Sequence, residues 1–216
     1  MRDMLYDWLK EHFHENEPIL IEEIAPEDLS EVEVRHEMKR LCSMGLVCRY
    51  DAGLFFLPPE GLTRQVVRPP RSLFAEKKFM LDAGQPCGYI SGKAFAAEAG
   101  LMKRPLTVIE IVTNKEHRPH RETSLGGQIY LLRRPAVLVN AENRDVLQLL
   151  DLIRDMDDVT DLSPEETAER IRALARRRNA AFADAEPYLE YYPDRIWKNL
   201  YRCGLLIGAG GPAGRI

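Results

Sequence analysis

The chain has no run of 18 apolar residues, so no stretch of it reads as a membrane-spanning helix. Its first residues, MRDMLYDWLK, alternate charged and apolar side chains and lack the apolar block of a secretory signal, which points to a cytoplasmic protein. Cysteine is scarce and scattered, at Cys42, Cys48, Cys87 and Cys203, with no CxxC pair. That spacing argues against a disulfide framework and against zinc, and favours reduced, mostly buried thiols. The glycine-rich stretch Gly208–Gly214 lacks a Gly-Lys-Ser/Thr ending, contains proline and follows no strand-to-helix unit, so it is not a phosphate loop. No nucleophile–base pair and no clustered carboxylates stand out. The chain does not read as an enzyme, and nothing in it asks for a cofactor or a metal.

What is present is an ordinary globular composition, 45% apolar and 30% charged over 216 residues, enough for one domain or two small ones. The net charge of −4 is unevenly spread. Residues 1–70 carry 8 Lys and Arg against 14 Asp and Glu; residues 71–140 carry 11 against 6; residues 141–216 carry 11 against 14. The middle third is therefore the basic one. A nucleic-acid-binding N-terminal domain is normally the basic part, so its acidity here weighs against a simple repressor.

The stretch Leu29–Pro58 organises the first domain. Ser30 is an N-cap, Glu31 and Glu33 suit the first turn, and Val34, Met38 and Leu41 form one apolar stripe. Gly45 stops the helix. Two β-prone runs, Leu46–Tyr50 and Leu54–Leu57, follow around Asp51-Ala52-Gly53. Before it, residues 3–14 put Met4, Leu5, Trp8, Leu9 and Phe13 on one face, and His12 and His14 read as solvated helix-end residues. Ile19–Ile21 reads as a short strand and Glu22–Leu29 as a short helix despite Pro26. This order is that of a winged helix-turn-helix over residues 1–60. On its recognition helix the stripe leaves Arg35, His36, Lys39 and Arg40 outward, with Glu33 and Glu37 among them. Cations there suit DNA reading, with Arg49 of the wing on a phosphate; the alternative is a solvated face laced with ion pairs.

Residues 61–83 read as a linker and connecting helix. Pro58–Arg71 is a stiff connector, or a proline-rich ligand, with one strand at Gln65–Val67, and Ser72–Asp82 is a helix with Leu73, Phe74 and Met80 inward and Lys77 and Lys78 outward. Residues 84–204 read as a mixed α/β domain with a small sheet and C-terminal helices. A small-residue helix runs to Ala99, Leu106–Asn114 is a central strand, Lys115–Glu122 a mobile basic loop, and Gln128–Arg133 and Ala136–Asn140 further strands. A helix from Arg144 carries Val146, Leu147, Leu150 and Ile153 on one face. Ser163-Pro164-Glu165-Glu166 starts another, which ends in Arg176-Arg177-Arg178, cations suited to a helix C-terminus or to nucleic acid. The last helix, Asp194–Cys203, is expected to bury Ile196, Trp197, Leu200 and Tyr201, and residues 205–216 form a flexible glycine-rich tail. Asp157, Asp158 and Asp161 read as a solvated turn. In the basic loop, His117, Arg118, His120 and Arg121 suit an anionic surface, either DNA or an acidic partner, or else nothing; Pro119 makes a helical His-x-x-His metal site improbable. Lys77, Lys78, Lys103 and Arg104 are further candidates for DNA contact.

Gly88-Tyr89-Ile90-Ser91-Gly92, the strand Ile109–Asn114, Leu125-Gly126-Gly127, Asn143, Leu147–Asp151 and Tyr192-Pro193-Asp194-Arg195 together resemble the AbiEi-type antitoxin family. The resemblance covers roughly residues 1–204. It departs at Gly100–Pro105, where relatives often carry a Thr-x-Gln-x-Pro-like stretch. It implies a winged helix-turn-helix joined to an antitoxin domain, operator DNA as one partner, and a cognate nucleotidyltransferase-like toxin opposed directly or only functionally. It leaves open whether the protein is a monomer or a DNA-induced dimer. The rival reading is a protein-interaction module with a degenerate winged helix. With its charge in the middle segment, the DNA-binding reading expects both domains to bind together and residues 1–70 alone to bind little.

Overall fold

The computed structural model describes residues 4–60, 69–103, 107–178 and 182–206. They fold as helices with small sheets, α+β in class, and the chain divides into two compact units, Met1–Lys78 and Phe79–Ile216.

In the first unit, α1 (Met4–His12) buries Leu5 and Leu9. Met4, expected beside them, is exposed. It lies with Trp8 along the edge of the stripe, and the Trp8 ring stacks on His12 with centroids 4.0 Å apart. After β1 (Ile19–Leu20) comes a single 3-10 turn, Ile21–Glu23, in place of the helix expected over Glu22–Leu29. Pro26 disfavours helical geometry at Ala25 and offers no N–H. Glu23 turns back instead, accepting from the Leu20 N–H at 3.1 Å and pairing with Lys77 at 2.7 Å.

Helix α2 (Glu31–Met44) starts on a reciprocal cap: Ser30 N–H donates to Glu33 at 2.8 Å, and Ser30 Oγ accepts from Glu33 N–H. It buries Val34, Met38 and Leu41, and the Gly45 N–H closes its end on the carbonyls of Leu41 and Cys42. β2 (Cys48–Asp51) and β3 (Leu54–Phe56) form an antiparallel hairpin with an irregularity between Arg49 and Asp51. β3 also pairs with β1, so the sheet order is β1-β3-β2. Leu5, Leu9, Ile19, Val34, Met38, Leu41 and Phe55 make the core.

The expected helix over Ser72–Asp82 is broken up. α3 (Arg71–Ala75) passes into a wide π turn, Glu76–Met80, and then into β4 (Leu81–Asp82). The Phe79 and Met80 carbonyls accept from Thr113 Oγ1 and from the Cys87 N–H, so they do not continue the helix. Phe74 is buried, stacked on Tyr50 at 3.7 Å, while Leu73 is exposed. The strand expected at Gln65–Val67 lies outside the described residues.

In the second unit, β4 pairs with β5 (Gln85–Pro86), and β6 (Gly88–Ser91) leads into α4 (Gly92–Glu98). With β7 (Val108–Thr113), β8 (His120–Leu125) and β9 (Gln128–Arg133), β6 forms a sheet of order β6-β7-β9-β8. β7 is central, antiparallel to β6 and parallel to β9. Two expectations fail here. The supposed basic loop contributes its last three residues, His120, Arg121 and Glu122, to β8, and the strand expected at Ala136–Asn140 is irregular. Pro135 precedes that segment, and the Asn114 side chain takes the strand partner's place, donating to Val139 O at 2.8 Å and accepting from Val139 N–H at 2.9 Å. The missed signal for β8 is Gly126-Gly127, whose φ values of 55° and 80° make the two-residue turn that pairs Leu125 with Gln128.

Helices α5 (Arg144–Arg154), α6 (Pro164–Arg177), α7 (Phe182–Ala185) and α8 (Arg195–Arg202) complete the unit, with a 3-10 segment at Glu186–Tyr191. Phe95, Leu150, Ile153, Met156, Ile171, Leu174, Ile196 and Leu200 form the larger core. α8 is turned from the expected face: Trp197 is 46% and Tyr201 75% exposed. The buried face runs instead through Asn199, which donates to Ile153 O at 2.8 Å, and Cys203. Of the expected tail, Leu205 and Leu206 pack on this core, and residues 207–216 lie outside the described residues. The four cysteines are free thiols, Cys87 and Cys203 buried, and burial pushes the Cys203 thiol up to about 11. Among the described residues no helix is long and apolar enough to cross a membrane.

Candidate functional site

On α2, burial of Val34, Met38 and Leu41 leaves Arg35, His36 and Lys39 exposed. Arg35 lies 3.8 Å from Glu31 and His36 3.8 Å from Glu37, while Lys39 carries no ion pair among the described residues. Arg40 is not the free cation the sequence led us to expect. It folds back on Glu37 through Nε at 2.8 Å and a terminal nitrogen at 2.7 Å, with the other terminal nitrogen 3.2 Å from Met44 Sδ. That hydrogen bond holds the Glu37 carboxyl below the usual range. The i, i+3 spacing of Glu37 and Arg40 explains why they meet. Arg49 is exposed on the hairpin, and its Nε donates to Asp51 O at 3.3 Å.

Lys77 and Lys78, expected outward, are both half-buried, and Lys77 is spent on Glu23. Lys103 is exposed, and Arg104 lies outside the described residues. In the second unit, His117, Arg118 and His120 are exposed, and the segment is only in part a loop, since β8 begins at His120. Glu116, only 4% exposed, accepts from the His117 N–H at 3.1 Å and the Arg118 N–H at 3.0 Å through one oxygen, and from Arg121 Nε at 2.6 Å through the other. Burial alone would raise the Glu116 carboxyl; the two amides and Arg121 outweigh it and hold the group low. Arg121 is thereby paired within the segment through Nε, while its side chain stays 41% exposed.

Some of the motif residues behind the family resemblance, Tyr89, Ser91, Gln148 and Asp151 among them, meet in the interior, while Gly127, Pro193, Asp194 and Arg195 are exposed. Tyr89 OH and Ser91 Oγ donate to one oxygen of Asp151 at 3.1 and 3.3 Å, and Arg154 donates to the other at 2.7 Å. Arg154 also grips Asp155, which takes Arg195 at 2.6 Å. Burial pushes the Tyr89 hydroxyl and the Asp151 carboxyl up, and Arg154 opposes it at Asp151. Gln148 donates to Ile90 O at 2.7 Å and accepts from Arg178, whose guanidinium lies 4.8 Å from the Phe95 ring centroid. Asn143 donates to Leu138 O at 2.9 Å. These groups satisfy much of one another's hydrogen-bonding capacity, as buried polar groups in folded proteins do.

An open cleft of about 700 Å³ has Met102, Val108, Leu131 and Val159 as its apolar wall and Lys93, Glu110, Asp155, Asp158 and Asp161 as its charged lining. Glu110 pairs with Arg133, and Asp158 lies 3.6 Å from Arg195. Asp157 meets Arg202 at 2.8 Å, so the acidic turn is tied to α8 rather than simply solvated. Among the described residues no group of three His, Cys, Asp or Glu side chains is placed to hold a metal ion. Sequence reasoning missed Glu116 and the Asp151–Arg154 pair. The signal for the first was an acid set among the cations near the start of the run Lys115–Glu122. No protein-family model matches the chain, and no curated protein matches it.

Proposed function

We propose that the chain is an antitoxin of AbiEi type that represses its own promoter and opposes a nucleotidyltransferase-like toxin, with residues 1–60 acting as a winged helix-turn-helix, residues 84–204 as the antitoxin domain, and no catalysis of its own. The observation that carries the DNA half is the exposed row Arg35, His36 and Lys39 on α2, followed at once by a hairpin carrying Arg49 in a sheet of order β1-β3-β2. In this reading Arg35 and Lys39 enter a major groove, Arg40 joins them by exchanging Glu37 for the DNA, and Arg49 holds the backbone. The toxin half rests on the motif resemblance alone.

A second reading, a protein-docking module built on a degenerate winged helix, draws on two observations. Glu31 and Glu37 already engage Arg35 and Arg40, and a single turn stands where the first helix of the pair belongs. Fluorescence anisotropy of the full chain on the DNA upstream of its own gene, beside a scrambled duplex and at two salt concentrations, separates the two. The repressor reading expects salt-sensitive preference for the upstream duplex, reduced by Arg35→Ala and Lys39→Ala. A flat response on both duplexes favours protein docking.

A further inference from the structure

The turn between β7 and β8 couples exposed cations to a backbone fixed from below. Glu116 spends one oxygen on the amides of His117 and Arg118 and the other on Arg121, so its own charge is balanced within the turn. Pro119 restricts the next φ. Asn114, bonded both ways to Val139, ties the base of the turn to the segment that follows β9. His120 stands opposite Arg133 across β8 and β9, which brings Arg134 to the same end of the sheet. Arg118 and Arg134 are exposed and carry no ion pair among the described residues.

We infer that this turn, with Arg134 beside it, is a preorganised contact site for the phosphodiester backbone of nucleic acid, and that Glu116 is its positioning residue. The inference rests on the DNA-binding reading and assigns the second unit its share of that binding. A guanidinium on a fixed backbone loses less freedom on meeting a phosphate than one on a loose loop. The exposed side chains of the turn are polar or proline, without the aromatic and apolar anchors that dominate protein interfaces, so phosphate is the better match. Glu116 does not touch the ligand in this arrangement. It acts through Arg118 and His117.

The test is the salt dependence of binding by the full chain to the upstream and scrambled duplexes. Arg118→Ala and Arg134→Ala are each expected to lower the slope of log affinity against log salt by about one on both duplexes, leaving the ratio between the duplexes unchanged. Glu116→Ala is expected to lower the slope as Arg118→Ala does, and combining the two removes no more than either alone. Glu116→Gln, whose amide oxygen still accepts from both backbone amides, retains most of the slope. Urea unfolding of each variant reports whether the fold survives, and the surface variants carry the test if Glu116→Ala does not fold. Unchanged slopes in Arg118→Ala and Arg134→Ala, against a salt-dependent wild type, overturn this inference and leave the reading of α2 standing. Lost slopes without any preference for the upstream duplex uphold the turn and overturn α2 as a reader. A wild type that binds neither duplex overturns both.

Discussion

Tyr89, Ser91, Asp151 and Arg154 are the residues whose chemistry most resembles an active site, and they are bonded to one another. Each polar atom that approaches Asp151 is another buried side chain of the same unit, and the Asp151 and Arg154 side chains are only 7% and 14% exposed. A buried pair of this kind adds little over a well-packed apolar substitute, but removing one partner strands the other. Asp151→Ala leaves Tyr89, Ser91 and Arg154 facing an empty site, although Arg154 keeps Asp155. We expect it to cost about 3–5 kcal/mol. Tyr89→Phe deletes one hydrogen bond to a carboxylate and is expected to cost about 1.5–3 kcal/mol. Urea midpoints at constant slope measure both. If Asp151→Ala costs no more than Tyr89→Phe, Asp151 is not the hub of the network and another role must be sought for it.

At the scale of elements, the motif Gly88-Tyr89-Ile90-Ser91-Gly92 makes a strand and opens a helix, and its first glycine is there for closeness. A Cβ at Gly88 would stand 2.5 Å from Val112 O and 3.1 Å from Phe79 O, both backbone atoms that cannot swing aside. Gly88→Ala must therefore push β6 from β7 or displace the segment at Phe79, at a cost of about 1–3 kcal/mol or more. A lowered melting temperature with loss of protection at the Gly88 and Thr113 amides is the expected result, and unchanged protection would contradict the close approach. The same scale shows what was legible in the sequence. α2, α5 and α6 were readable from apolar spacing, reinforced by the Ser30 cap at α2 and by the Ser163 cap and first-turn proline at α6. β8 was not, because its outward residues are charged or polar and its pairing is set by a glycine turn rather than by apolar alternation. α8 was misread by one step around its axis because an aromatic outranks an asparagine by hydropathy, whereas the Asn199 amide has a backbone carbonyl waiting for it. At the candidate site, the exposed cations of α2 were legible from the stripe opposite them. The pairing of Arg40 with Glu37 was open to reading from their i, i+3 spacing, whereas the burial of Lys77 was not, since it depends on the fold bringing Glu23 within reach.

Across the whole molecule, charge and packing separate the two activities of the proposed antitoxin. Arg35, Lys39, Arg118 and Arg134 are exposed and belong to neither core, so replacing them by alanine changes the field a polyanion meets and leaves the packing of either unit intact. The net charge of −4 gives no general attraction to DNA, so binding has to come from where cations are concentrated: the α2 face in an otherwise acidic segment, and the basic middle third. Neutralising a toxin makes no such demand on these four side chains unless the toxin is met by the same surface. Two readouts in one cell line then divide the reading: a reporter driven by the upstream DNA, and survival on expression of the neighbouring gene product with the antitoxin supplied from an independent promoter. The quadruple variant Arg35→Ala, Lys39→Ala, Arg118→Ala, Arg134→Ala is expected to lose repression and keep rescue. Loss of both at normal protein abundance would mean that the same basic residues serve DNA and toxin alike. Retention of repression would remove these residues from the operator complex and return the α2 face to the docking reading that its ion pairs favour.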